Sequence, residues 1–228
     1  MQTLISEEKT NTTLVPRWQI ALILVGFPAL YMLNSFTPWS RGLFGAHDRT
    51  YYIPFFISTL TLHWLSVAVT TLVVRRAGLT LTELGLKISI RQAFIIVGRL
   101  VAIGLAFVLF RQFVPYSMSR PTALVFFPIG FSENLFFIFA SLNAGFCEEL
   151  VYRGFAITTL QAHGLSTWQA VTLSLISFVF IHGLAGVYAF PIFFLAGLIY
   201  AGIYVKIKHL TTPMALHAFY DMTAILFP

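Results

Sequence analysis

The sequence predicts an all-α fold: a polytopic membrane protein of seven to eight transmembrane helices with a polar site in the bundle core. Three observations carry that prediction. Hydrophobic residues make up 58% of the 228-residue chain and charged residues only 10%, whereas a soluble domain carries about 25% charged residues. The apolar residues gather into runs near the roughly 20 residues a helix needs to cross hydrocarbon. A few ionisable side chains stand inside those runs, where a charge costs at least about 2.5 kcal/mol. This composition excludes a single soluble domain, a disordered or collagenous chain and a disulfide scaffold. With one cysteine, Cys147, the chain can form neither an intramolecular disulfide nor a cysteine metal cage.

The runs follow in order. Residues 1–16 are polar, with Glu7, Glu8 and Lys9, and do not read as a cleaved signal peptide. Segment one spans residues 18–37 and holds Gly26 and Pro28. Segment two, 50–74, is uncharged and encloses His63. Segment three, 93–110, is interrupted by Arg99. The connection 75–92 has apolar residues at Leu79, Leu81, Leu84, Leu86 and Ile88, without a clean 3.6 period. It reads as a surface loop or a short interfacial helix. Prolines 115, 121 and 128 follow, and residues 121–131 leave room for an eighth, short or re-entrant helix. Segment four, 134–160, contains Glu148, Glu149 and Arg153. Segment five is 166–182 and segment six is 187–205. Segment seven, 210–227, contains His217 and Asp221. No internal repeat or domain boundary is visible, so residues 1–228 are read as one membrane-embedded domain.

The net charge of +6 fits basic residues beside a membrane rather than nucleic acid, which is not expected as a partner. With seven segments, one face holds Lys9, Arg17, Arg75, Arg76, Lys87, Arg91, Lys206 and Lys208; the other holds Arg41, Arg49, Arg111 and Arg120. The richer face is expected in the cytoplasm, and the N-terminus with it.

Glu148, Glu149, Arg153 and Asp221 lie inside apolar runs, joined by His182 and His217. Intramembrane ionisable groups are functional by default. Glu149 and Arg153 are four residues apart on one helix face and can pair. Glu148 points about 100° away with no partner on its own helix, which leaves it for general-base chemistry. Phe178 and His182 share a face, as do His217 and Asp221. Asp221 is placed to orient the His217 ring or to hydrogen-bond directly. One pocket can bring these groups together around a water, with the imidazoles binding that water, a metal or an oxyanion. Reckoned at about 1.5 Å per residue, however, the segment ends put Glu148, His182 and His217 at unequal depths. The pocket therefore requires helix ends shifted by several residues. His63, alone in segment two, is expected to make a helix–helix hydrogen bond. Cys147 has no evident base partner.

The three motifs are Glu148-Glu149-x-x-x-Arg153, Phe178-x-x-x-His182 and His217-x-x-x-Asp221. In this order on apolar helices they resemble the CPBP (Abi) family of intramembrane proteases, which includes CAAX prenyl endopeptidases and bacteriocin-immunity proteins. The resemblance covers about residues 84–228, including "LGLK" at 84–87 and "LTTPMALHAFYD" at 210–221. It implies peptide-bond hydrolysis inside the membrane, with a peptide or protein substrate and the lipid bilayer as partners. It further implies that Glu148 and His182 activate water while His217 and Asp221 serve the oxyanion, with Glu149, Arg153 and Phe178 in support. Asp221 stands where the family also uses Asn; an ionised Asp would repel an oxyanion, so it holds His217 or is protonated. Zinc on Glu148, His182 and His217 and a metal-free glutamate mechanism are equally allowed by the residues. Two alternatives stand beside the endopeptidase: a bacteriocin-immunity-type binding protein with little catalysis, and a proton-coupled transporter. The chain's small size fits a bacterial or archaeal plasma membrane.

Overall fold

The computed structural model describes residues 14–37, 52–113, 128 and 130–226. It is all-helical among those residues. The additional helix considered at 121–131 falls almost wholly outside them.

Helix α1 covers residues 17–34: Arg17–Ala21, a π-helical stretch Leu22–Gly26, then Phe27–Asn34. Pro28 lacks the N–H that would bond the Leu24 carbonyl four residues back. Ser177 Oγ donates to that carbonyl instead, at 2.7 Å. In hydrocarbon such a freed group has no water to turn to, so the replacement bond also docks α1 on a neighbouring helix. Helix α2 is Tyr52–Arg76 and α3 is Ile90–Phe110, the latter opened by a reciprocal Ser89–Gln92 capping box. Helix α4 is the long central element, Gly130–Ala162. Its middle, Glu149–Ile157, is π-helical and buried at every residue. A helix buried all round is core, and π-helical segments concentrate at functional sites.

Helix α5, Thr167–Phe180, starts on a second capping box, Ser166–Gln169. A short helix α6, Gly183–Tyr188, precedes α7, Phe190–Ile207. Helix α8 is Thr211–Met222, continued by a 3₁₀ turn Thr223–Leu226. Four of the described helices are long and apolar enough to cross a membrane: Tyr52–Arg76, Ile90–Phe113, Gly130–Ala162 and Phe190–Ile207. Helix α5 is apolar but has 14 residues. The described residues thus supply four candidate spans, against the seven to eight expected. Trp18, Phe94, Phe113 and Tyr188 are exposed on the outside of the bundle, as large apolar side chains facing lipid would be.

The connection expected as a surface loop or a short interfacial helix is a loop of turns, exposed at Thr80, Thr82 and Glu83, that dips inward at Leu84 and Gly85. Leu84 is fully buried. Its carbonyl accepts from the Tyr204 hydroxyl at 3.1 Å, and the Gly85 carbonyl accepts from the Leu210 amide at 3.0 Å. The chain here folds back into the bundle and its backbone carbonyls seat the start of α8.

That seat explains the mismatch in depth. Helix α8 begins well inside α4. A Cβ on Gly154 would stand 3.0 Å from Leu210 Cδ1, and one on Gly145 would stand 2.6 Å from the Met214 carbonyl oxygen. Leu210 is thus level with Gly154, about 12 Å short of the end of α4 at Ala162. Counted from the Ala162 end, Glu148 comes to about 21 Å and His217 to about 22 Å, and His182 lies about 22 Å from Thr167. Three helices that start at different levels bring their polar residues to one.

At Gly145 α4 and α8 approach closely, and a side chain there would meet backbone rather than a flexible end. Gly145→Val is expected to force the helices apart and to cost about 1–3 kcal/mol. Thermal unfolding in detergent measures it, and an unchanged midpoint would count against this crossing.

Candidate active site

Six side chains from four elements meet in the core. From α4, Glu148 and Glu149 are buried at 5% and 0% exposure. Helix α2 supplies His63, and α8 supplies His217 and Asp221. His182 comes from the turn after α5. That turn is fixed by Gly183, whose positive φ of 59° favours glycine. Gly183 packs on Ser35 at the end of α1, where Ser35 Oγ accepts from the Leu184 amide at 3.1 Å.

Glu148 is the hub. Its Oε1 lies 2.9 Å from His63 Nε2, while its Oε2 lies 4.0 Å from His182 Nε2 and 3.8 Å from His217 Nε2. Oε2 is buried and has no hydrogen-bond partner within the protein. The His182 ring is oriented by its other nitrogen: Nδ1–H donates to the Phe178 carbonyl at 3.0 Å, which leaves Nε2 turned toward Glu148. The ring is held between Phe193, with centroids 3.9 Å apart, and the edge of Phe178 at 5.0 Å.

Glu149 faces the other way, into a fully buried network. Its Oε1 accepts from His217 Nδ1 at 2.8 Å and lies 3.0 Å from Arg153 Nη1. The Arg153 contact is a close ion pair rather than an aligned hydrogen bond, since Nη1 has no partner of hydrogen-bond geometry. Arg153 Nη2 donates to the Gly197 carbonyl at 3.1 Å, and the guanidinium sits 4.0 Å over the Phe178 ring. Tyr200 stacks on the His217 ring at 4.9 Å. The network therefore fixes the plane of His217 and leaves its Nε2 on the side of Glu148, 3.8 Å from Oε2. Asp221 Oδ2 is 3.6 Å from that same Nε2, beyond hydrogen-bond length. The residue that holds His217 by its far nitrogen is Glu149, not Asp221.

A cavity of about 310 Å³ opens onto Glu148, His182, His63 and Asp221. Aromatic side chains such as Phe56 and Phe193 line the rest of it. A larger groove of about 730 Å³ between α1 and α5 contains none of these groups. The smaller cavity is the one with chemistry in it.

Every residue singled out from the sequence lies in or directly behind this cluster. Phe178, 2% exposed, is the wedge beneath Arg153, His182 and His217. Cys147 is buried in the apolar core. His63 is the member that sequence reasoning left out of the site. It does make the expected helix–helix hydrogen bond, and its partner is Glu148. The only sequence signal was an imidazole within an uncharged apolar run.

The fit to zinc is poor. No group of three or more His, Cys, Asp or Glu among the described residues is arranged to hold a metal ion. Glu148 Oε1 is engaged by His63, and Oε2 stands 3.8–4.0 Å from the two imidazole nitrogens. Two ligands on tetrahedral zinc would be about 3.3 Å apart.

Residues 128–223 match the family model of Rce1-like type II CAAX prenyl endopeptidases. The matched segment holds all of the cluster except His63. It supports, at the level of the family, a CAAX-type intramembrane protease. No curated protein and no solved structure matches the chain.

Proposed function

We propose that this chain, whose residues 128–223 match the Rce1-like type II CAAX prenyl endopeptidase family, hydrolyses a peptide bond with a water activated by Glu148. One observation carries the reading. Glu148 Oε2 and His182 Nε2, both hydrogen-bond acceptors, face each other across 4.0 Å. A water about 2.8 Å from each spans that gap by donating one O–H to the carboxylate and the other to the imidazole. Its lone pairs then face the cavity, where a scissile carbonyl can stand.

The steps follow from the donors and acceptors. The water oxygen attacks the carbonyl carbon and its proton passes to Glu148. The carbonyl oxygen becomes an oxyanion. His217, when protonated, offers Nε2–H to it, with Glu149 holding Nδ1. Asp221, partly exposed with Oδ2 3.6 Å from the same Nε2, gives no second donor unless it carries a proton. Glu148 then hands its proton to the leaving amine nitrogen as the C–N bond breaks. No step runs through a metal. In this reading the N-terminus is cytoplasmic, on the side the Lys and Arg balance favours.

The test is cleavage by the purified protein in liposomes of a quenched fluorescent peptide that ends in an S-prenylated CaaX sequence. Cleavage within the CaaX tail is expected, with mass spectrometry fixing the bond. Turnover is expected to survive dialysis against a chelator. Absence of product, or turnover lost on chelation and restored by zinc, would overturn the reading.

A further inference from the structure

The mechanism above uses one oxygen of Glu148. The other is held by a residue outside the three motifs and outside the matched segment. We infer that His63 is a positioning residue for Glu148: its Nε2–H fixes Oε1 so that Oε2 is presented to the water and to His182. This inference rests on the proposed hydrolytic function.

The geometry is specific. The His63–Glu148 contact, at 2.9 Å, is the shortest that Glu148 makes with the three imidazoles, the others being 3.8 and 4.0 Å. Both partners are buried, at 5% exposure each. A carboxylate has no donor of its own, so the hydrogen in that contact is on His63 Nε2. Without it, a buried glutamate is free to turn about its side-chain bonds, and either oxygen can swing toward His182. With it, one oxygen is committed and the other is aimed. The His63 ring is itself restrained, with the buried Tyr31 ring 5.6 Å away.

Helix α2 also gains a reason to carry an imidazole in an otherwise uncharged span. A hydrogen bond between helices needs only a donor and an acceptor, and Ser, Thr or Asn would supply one at shorter reach. An imidazole supplies a rigid donor several ångströms from the backbone, without adding an acceptor on the nitrogen that faces Glu148.

The test compares His63→Phe and His63→Gln in the liposome assay with the S-prenylated CaaX peptide. The phenyl ring fills the space without a donor, whereas the glutamine amide places an N–H at about the reach of Nε2. Expected for His63→Phe is a fall in kcat of about 10- to 100-fold with KM within about twofold of the unaltered protein. Expected for His63→Gln is recovery of most of that loss. A purely packing role moves both variants alike or favours the apolar one. Turnover of His63→Phe within twofold of the unaltered protein, or equal loss in both variants, overturns the inference. If His63→Phe does not purify as a folded protein, His63→Leu takes its place. Glu148→Gln is run alongside. If it remains fully active, the hydrolytic reading itself fails; if it is inactive while His63→Phe is unaffected, only the role of His63 fails.

Discussion

Glu148→Gln is expected to lower kcat on the prenylated peptide by about 10²–10⁴-fold, the span general-base catalysis contributes, while the protein folds and binds peptide as before. Gln keeps the shape and an oxygen for His63 to donate to, so the 2.9 Å contact that ties α2 to α4 survives. What it loses is an atom able to take the proton. With its oxygen held by His63, it faces His182 Nε2 across the 4.0 Å gap with an N–H. The N–H would bond the imidazole directly and displace the water. That removes the nucleophile without disturbing the core. His182→Ala should resemble it at smaller scale, since the water then loses one of its two acceptors. Single-turnover kinetics on the two variants separates the chemical step from binding. A Glu148→Gln protein that turned over at an unaltered rate would remove Glu148 as the base.

The same comparison shows what the amino-acid sequence carried and what it could not. Charges at bilayer depth are costly enough to be informative, so Glu148, Glu149, Arg153 and Asp221 announced the site. Four-residue spacing placed Glu149 with Arg153 because that is local geometry. The pairing of His63 with Glu148 spans 85 positions, and no local period encodes it. Soluble helices mark their inward face by an apolar stripe, but a helix in lipid is apolar on both faces. Tyr200 is 5% exposed while its neighbour Ile199 is 60% exposed, and hydropathy does not tell them apart. The level at which α8 starts was hidden for a similar reason. It depends on Leu84 and Gly85 folding inward to meet Tyr204 and Leu210, contacts made far along the chain from the helix they position. Spacing alone leaves the role of Asp221 open. A four-residue separation puts it beside His217, but only the third dimension shows that Glu149 already holds Nδ1.

Arg153→Met should be the most destabilising single change at this site. Arg153 and Glu149 are both fully buried, and removing one member of such a pair leaves an uncompensated charge that costs about 3–5 kcal/mol. The loss here has further parts: the hydrogen bond to the Gly197 carbonyl and the guanidinium stacked on Phe178. Thermal unfolding in detergent should show a large downward shift. The double variant Glu149→Gln/Arg153→Met should recover much of it, because a neutral amide no longer needs the guanidinium and the apolar side chain fills its space. Activity should not return in step. Glu149 also accepts from His217 Nδ1, and a neutral amide oxygen is a weaker acceptor than a carboxylate. A restored fold with kcat still depressed would separate the two duties of Glu149, one toward the core and one toward the ring that faces the oxyanion. Recovery of stability and turnover together would mean that the charge on Glu149 serves only Arg153. No recovery of stability would mean that the guanidinium's other contacts, rather than its ion pair, hold this part of the bundle.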